Sequence, residues 1–323
     1  MGYEIVNGDC FAWLGERDPN SIHAVVTDPP FGLLEYSRTQ MEKMRAGRGG
    51  VWRIPPSIGG AERKPLPRFT VLSERELNGI RVFFEEWGRR VHKVLVPGGA
   101  IFIASNPLVS PYGCQGLLAA GLERRGEIVR LVRTLRGGDR PKNAEREFPD
   151  ISVMPRSCYE PWLLFRKPIS EQRVAENLRK WGTGGLRRTP GGQPFPDVLR
   201  SETPPNLEVG IAPHPSLKPQ RFMRQIVWGA LPLGKGVVLD PFMGSGSTLA
   251  AAEAVGYESI GVELDPEFVK LAKRAIPKLA ALQVDWHRFE SANGNGGGTA
   301  PREAAPNRWR SDSKRGPKQL KFF

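Results

Sequence analysis

Gly236-Val237-Val238-Leu239-Asp240-Pro241-Phe242-Met243-Gly244-Ser245-Gly246-Ser247-Thr248 is the stretch on which the fold turns. Its short β-branched run predicts a strand, the glycine-rich turn from Asp240 to Ser247 ends it, and the alanine-rich segment from Thr248 to Val255 predicts a helix. After a turn at Gly256-Tyr257 come a strand over Ser259 to Val262, closed by Glu263, and a helix from Asp265-Pro266 onward. Strand, helix, strand, helix in that order requires parallel pairing, because each crossover helix returns the chain to the same end of the sheet. The expected fold class is α/β, doubly wound, with a mostly parallel sheet.

Small side chains in such a turn let backbone N–H groups approach a ligand. Glu263 ends the next strand, where an acidic residue reaches a ribose diol in dinucleotide-type folds. The turn lacks the Gly-Lys-Ser/Thr of a phosphate loop, and Asp240 would repel a pyrophosphate. An adenosine carrying a positive centre suits it better.

Towards the N-terminus, a second unit runs from Tyr3 to Phe31: a short strand, Gly8-Asp9, a helical Cys10 to Leu14, a turn at Asp18 to Ser21, and the apolar run His23 to Val26. That run stops at Thr27-Asp28-Pro29-Pro30-Phe31-Gly32, where two prolines force a loop. The motif carries specific chemistry. An exocyclic amino group is a poor nucleophile because its lone pair is delocalised into the ring, and two acceptors on its N–H groups draw it towards a reactive, tetrahedral form. Asp28 would supply one acceptor and the carbonyl of Pro29 the other, while Pro30 stiffens the loop and Phe31 offers a ring face for an extruded base. As a bare turn between strand and loop, Asp-Pro-Pro would serve equally well.

Between the two units, Leu77 to Val96 reads as an amphipathic helix stopped by Pro97-Gly98-Gly99, and Ala100 to Ala104 as a buried strand. Leu108 to Gly121 reads as a helix, with Gly126 to Val132 and Pro161 to Phe165 as strands. Three segments, 35–68, 133–149 and 167–213, are too polar for core and too long for connections, which marks them as substrate-facing inserts. The tail over 291–323 is Gly-rich, then basic, and reads as disordered.

The 323 residues carry a formal net charge of +13, and nucleic acid is the commonest polyanion met by such a surface, although membrane-surface and ribosomal binders share the property. Cys10, Cys114 and Cys158 form no CxxC pair, so neither a disulfide framework nor a metal site is expected. A strand pattern from the outset argues against a secretory signal, and no apolar run approaches a membrane span; the cytoplasm, beside the nucleoid, is the expected location.

Together the two motifs resemble the S-adenosylmethionine-dependent DNA amino-methyltransferases, over residues 3 to about 280. In that family the Asp-Pro-Pro-aromatic motif is catalytic and the Phe-x-Gly-x-Gly turn binds S-adenosylmethionine; here these are Asp28, Pro29, Pro30 and Phe31, and Phe242, Gly244 and Gly246, with Asp240, Ser247 and Thr248 in the same turn. The order, catalytic motif first, resembles the permuted β group. His214-Pro215-Ser216-Leu217-Lys218-Pro219 resembles the element whose hydroxyl and lysine hold the methionine carboxylate, which implies that role for Ser216 and Lys218. Asn7-Gly8-Asp9 resembles the segment whose aspartate accepts from the cofactor's adenine amino group, implying that role for Asp9.

The resemblance implies a catalytic half over 1–166 with insert 35–68, a target-recognition segment over 167–213 and a cofactor half over 214–285. It further implies a Rossmann-like methyltransferase fold and double-stranded DNA as partner, and leaves open a homodimer and a companion restriction endonuclease. Most adenine-type members have Tyr at the place of Phe31, and cytosine-N4 members usually have Ser at that of Asp28, so the aspartate tilts the target to adenine N6 with cytosine N4 second. Candidate DNA contacts are Arg45, Arg48 and Arg53 in the first insert, Arg136, Arg140 and Lys142 in the second, and Arg179, Lys180, Arg187 and Arg188 in the third. An RNA or protein-glutamine methyltransferase, or a silent nucleic-acid binder keeping the fold, would share the frame; the former leaves the basic inserts without a purpose, and the latter leaves Asp28 and its prolines without one.

Overall fold

The computed structural model describes residues 2–30, 57–58, 61–62, 72–132, 138, 140–214 and 216–289. Its strands are β1 (Tyr3–Asn7), β2 (Ile22–Thr27), the two-residue pair β3 (Ser57–Ile58) and β4 (Ala61–Glu62), β5 (Leu95–Ala104), β6 (Glu123–Leu131), β7 (Tyr159–Arg166), β8 (Val198–Arg200), β9 (Val237–Asp240) and β10 (Glu258–Glu263). All but β3 and β4 form one sheet in the order β1-β10-β9-β2-β5-β7-β6-β8. Only β7 runs against its neighbours; the other pairs are parallel. This is the doubly wound architecture expected from the sequence.

The helices are α1 (Cys10–Glu16), α2 (Glu74–Val94), α3 (Ser110–Ala119), α4 (Val174–Trp181), α5 (Asn206–Ile211), α6 (Gln220–Ala230), α7 (Ser247–Val255) and α8 (Pro266–Ala280). On one face, Leu14, Ile80, Trp87 and Leu117 from α1, α2 and α3 pack on Ile101 and Ile103 of β5. On the other, Phe222 and Ile226 of α6 and Ala251 of α7 meet Phe102 and Trp162. Ile276 and Leu279 extend that layer over Leu249, Tyr3 and Ile5. Covered on both sides, the centre of β2 is apolar: Ala24, Val25 and Val26 are fully buried.

Two expectations are corrected. The long helix begins three residues earlier than expected, capped by Ser73, whose hydroxyl accepts from Glu76 N–H while the Glu76 carboxylate accepts from Ser73 N–H at 2.7 Å. It ends at Val94, so Leu95 to Gly99 is strand rather than helix end and stop. Gly98 N–H donates to Lys167 and Lys167 N–H donates to Gly99, each at 3.0 Å, so the glycines continue a ladder; Gly98 does so at φ +83°. The second correction concerns 167–213, which holds α4, β8 and α5. Asn177 anchors α4 by donating from its buried amide to the carbonyls of Pro97 and Thr183, a polar core position that hydropathy hides.

Candidate active site

Parallel strands present their C-terminal ends together, and β1, β10, β9 and β2 are consecutive in the sheet, so Asn7, Glu263, Asp240 and Thr27 end side by side. Gly8 N–H donates to the Glu263 carbonyl at 3.0 Å, and Asn7 donates to the same carbonyl at 2.9 Å. Asp9 follows and caps α1, accepting from Ala12 N–H at 2.9 Å through Oδ1.

Asp240 is buried, and its Oδ1 accepts from the Thr27 hydroxyl at 2.7 Å and from Phe242 N–H at 3.2 Å. Burial, reinforced by the nearby charge of Asp28, pushes its carboxyl up to about 6, against the hydrogen bonds from Thr248, Thr27 and Phe242. Its carboxylate is thus occupied in holding the turn, and Asp240 shapes the site more than it offers a free acceptor to a ligand. Thr248 is buried as well and donates to the Val26 carbonyl at 3.4 Å.

Gly244 and Gly246 take φ +53° and +87°. A Cβ on Gly244 would stand 3.1 Å from the His214 ring, and one on Gly246 would stand 2.5 Å from Ile276. Glu263 straps the turn to β10: Oε2 accepts from Gly244 N–H at 2.8 Å and Oε1 from Asp265 N–H at 2.9 Å. Phe242 lies against Phe83 and Trp87, with ring centroids 6.2 and 6.1 Å away.

Asp28, one residue past β2, is bound by the Lys218 ammonium, which lies 3.5 Å from Glu160 Oε1. Glu160 Oε2 in turn accepts from Arg130 Nη1 at 2.8 Å and from Trp162 Nε1 at 3.2 Å. Arg130 also donates from Nε to Ser201 Oγ and from Nη2 to the Glu202 carbonyl, both at 2.9 Å. Burial works against the Lys218 charge, but Asp28 and Glu160 outweigh it and hold the ammonium above its ordinary value. Burial likewise opposes the Glu160 charge, and Lys218 with Arg130 overcome it, so that carboxyl lies below its usual range. Burial, with the charge of Glu160, raises the Asp28 carboxyl against the pull of Lys218, so in the alternating row Asp28, Lys218, Glu160, Arg130 the first carboxylate is the one held least firmly in its charged form.

Asp28, Ser216, Lys218, Phe242, Gly244 and Ser247 border one cleft. The motifs at residue 28 and residue 244 therefore face each other, as the sequence reading required. Pro29 is buried and Pro30 exposed. Phe31, Arg45, Arg48, Arg53 and Arg136 lie outside the described residues. Glu160 and Arg130 were not anticipated; the available signal was a charge next to the apolar run of β7 for Glu160, while Arg130 is one of several charges in β6.

The DNA candidates divide by location. Arg140 and Lys142 belong to an arm that prolongs β6 and β7 past the end of the sheet holding Asp28, through Val132 N–H to Cys158 at 3.1 Å and Gly138 N–H to Met154 at 3.0 Å. By contrast, α4 is tied to Pro97 at the start of β5, so Arg179 and Lys180 lie at the opposite end of the strands, roughly 20 Å away by strand length. Lys180 pairs with Glu171 at 2.6 Å. Arg187 stacks on Trp228 at 3.5 Å and donates to the Tyr257 hydroxyl at 2.6 Å, and Arg188 donates to the Gly192 carbonyl. The structure does not bring these four to the cleft, because the chain here packs at the ends of the strands opposite Asp28, α4 beside Pro97 and Arg187 beside Tyr257. Among the described residues there is no cluster of side chains that could hold a metal ion, and no helix long and apolar enough to cross a membrane.

Comparison with known proteins decides the family: the DNA methylase family of N6/N4 type matches residues 22–274. The chain belongs to the N6/N4 DNA methylases. A type II methyltransferase of Streptococcus pneumoniae, M2.DpnII, is 23% identical over 273 residues, covering 84% of this methylase and 88% of the relative. TTHA0409 of Thermus thermophilus, solved in complex with S-adenosyl-L-methionine, superposes with a TM-score of 0.52 at 20% identity, over 87% of this chain and 95% of that one. The cytosine-N4-specific PvuII DNA methyltransferase gives the same TM-score at 15% identity, over 88% and 87% of the two chains. The fold of this methylase is thus the one used by S-adenosylmethionine-dependent DNA methyltransferases.

Proposed function

We propose that this DNA methylase transfers a methyl group from S-adenosylmethionine to the exocyclic amino nitrogen of a base turned out of double-stranded DNA, with adenine N6 as the favoured target. The observation that carries the proposal is that Asp28 and the Gly244 turn border one cleft.

The residues present fit that cofactor. The φ-positive glycines leave a backbone-lined cradle that a Cβ at Gly244 would crowd, and the cationic Lys218 and the hydroxyl of Ser216 stand beside it for a carboxylate. Each Glu263 oxygen takes one backbone N–H and retains a lone pair for a ribose hydroxyl. Asp9 keeps Oδ2 free of its capping bond for an adenine amino group. Gly246, Ser247 and Thr248 begin α7, and Phe242 walls the cleft. When bound, the cofactor supplies a methyl group on a positively charged sulfur, a leaving group that needs no acid.

The chain's own residues then prepare the nucleophile. Asp28 and the carbonyl of Pro29 accept from the two amino hydrogens of the base and raise the electron density at nitrogen. Pro29 fixes φ, so both acceptors hold their aim, and alignment of an in-line transfer is where most of the barrier is removed. Phe31 is assigned to stack on the extruded base. Arg140 and Lys142 on the arm, with Arg45, Arg48, Arg53 and Arg136, are assigned to the DNA backbone. The cytoplasm is where such a substrate is met.

Cytosine N4 is the second reading, since the same acceptor pair serves either amino group and the N4-specific PvuII enzyme shares the fold. The deciding experiment incubates the protein with labelled S-adenosylmethionine and unmethylated bacterial DNA, digests the product and identifies the nucleoside by mass spectrometry. N6-methyladenine is expected; N4-methylcytosine moves the target, and absence of transfer overturns the proposal.

A further inference from the structure

Lys218 has two claims on it. Its ammonium is bound to Asp28, while Glu160, its other anionic neighbour, is 3.5 Å away and already paired with Arg130 at 2.8 Å and Trp162 at 3.2 Å. The Arg130 side chain is only 7% exposed and makes three hydrogen bonds, one of them to Glu160, so Glu160 already has a counter-ion and Asp28 is the principal counter-ion of Lys218. The Lys218 side chain is itself 10% exposed, so water does little to screen the contact. Yet Lys218 also borders the cleft beside Ser216, where an incoming carboxylate would arrive.

We propose that Lys218 is handed between two carboxylates: it pairs with Asp28 until the carboxylate of the cofactor draws it off, leaving Asp28 to receive the amino group of the base. Glu160 is a positioning residue in this exchange. It keeps the ammonium seated while the other partner changes, and its own bond to Arg130 stops it from taking the lysine outright. The identity of the incoming carboxylate rests on the methyltransferase reading above. Base engagement is thereby coupled to cofactor occupancy through one side chain, with no movement of the sheet required.

The exchange predicts a competition that can be measured without catalysis. In calorimetric titrations of the full chain, S-adenosylhomocysteine carries the carboxylate and 5′-methylthioadenosine lacks it. Asp28→Asn removes the competing anion, so it should tighten S-adenosylhomocysteine three- to thirty-fold and leave 5′-methylthioadenosine within two-fold of wild type. In a Lys218→Gln background the same substitution should change neither ligand. Asp28→Ser is the companion variant, with folding of each checked by circular dichroism. If the affinity for S-adenosylhomocysteine stays level or falls on removing the Asp28 charge, or if the gain persists without Lys218, the exchange is overturned. Should the wild type bind neither ligand, it is the cofactor reading that fails.

Discussion

Thr27 donates a hydrogen bond to Asp240 across 2.7 Å, joining residues 213 apart in the sequence. The bond locks the ends of β2 and β9, and so sets the distance between Asp28, the next residue after Thr27, and the turn that starts at Asp240. Thr27 is fully buried, so Thr27→Val keeps the shape and deletes the donor. At pH 7 the loss should be about 1.5–3 kcal/mol, the range for a hydrogen bond to a charged group, read as a shift in the urea midpoint.

Asp240 gives stability a particular pH dependence. Its folded carboxyl titrates at about 6 against an ordinary value of 3.8, so the folded state holds a proton that the unfolded state releases. The stabilising contribution is whole below pH 4, declines as pH rises to about 6, and is absent above. The change is on the order of 3 kcal/mol. Denaturation at pH 4.5 and pH 7 should show the decline in wild type, with a shallower one in Asp240→Asn.

Gly246→Ala tests the turn. At φ +87° an L-residue costs about 1–2 kcal/mol, and a Cβ 2.5 Å from Ile276 adds overpacking of about 1–3 kcal/mol. Lowered stability and weakened S-adenosylhomocysteine binding should appear together, by urea titration and calorimetry.

Asp28→Ala should abolish methyl transfer to DNA in the labelled-methyl assay while the protein still binds S-adenosylhomocysteine. Lys218→Ala should do the converse at the cofactor end, weakening that ligand by about 1–3 kcal/mol, the range of a charge-assisted hydrogen bond. An unchanged dissociation constant in Lys218→Ala would remove the lysine from the cofactor's carboxylate.

Arg187→Ala separates packing from DNA contact. The guanidinium lies on the Trp228 ring and bonds Tyr257, so its loss should reduce stability by about 1–3 kcal/mol. The salt dependence of DNA binding should be the same as in wild type, because the residue lies at the far end of the strands from the cleft; a slope reduced by about one would show a phosphate contact instead.

The parallel sheet and the two facing motifs were legible because glycine, proline and apolar runs act through local geometry. The 214 element was legible only as a resemblance, and nothing local says that Lys218 will meet Asp28 190 residues away. Arg187 shows the reverse failure: in sequence it is one more charge in a basic segment, and only the tertiary neighbours Trp228 and Tyr257 reveal it as packing. Asn177 escaped as a core residue for the same reason, since its amide is satisfied by carbonyls on other segments. Charge patterns report composition, whereas the partner of each charge is decided by the chain's long-range contacts.

The position of β10 and β9 between β1 and β2 has a consequence for synthesis. β1 cannot find its partner β10 until residue 263 has been synthesised, so the sheet stays open between β1 and β2 until β9 and β10 have both emerged. A translation product truncated before β9 would have the loop that follows β2 but no wall opposite it, so the cleft exists only in molecules whose synthesis went past that strand.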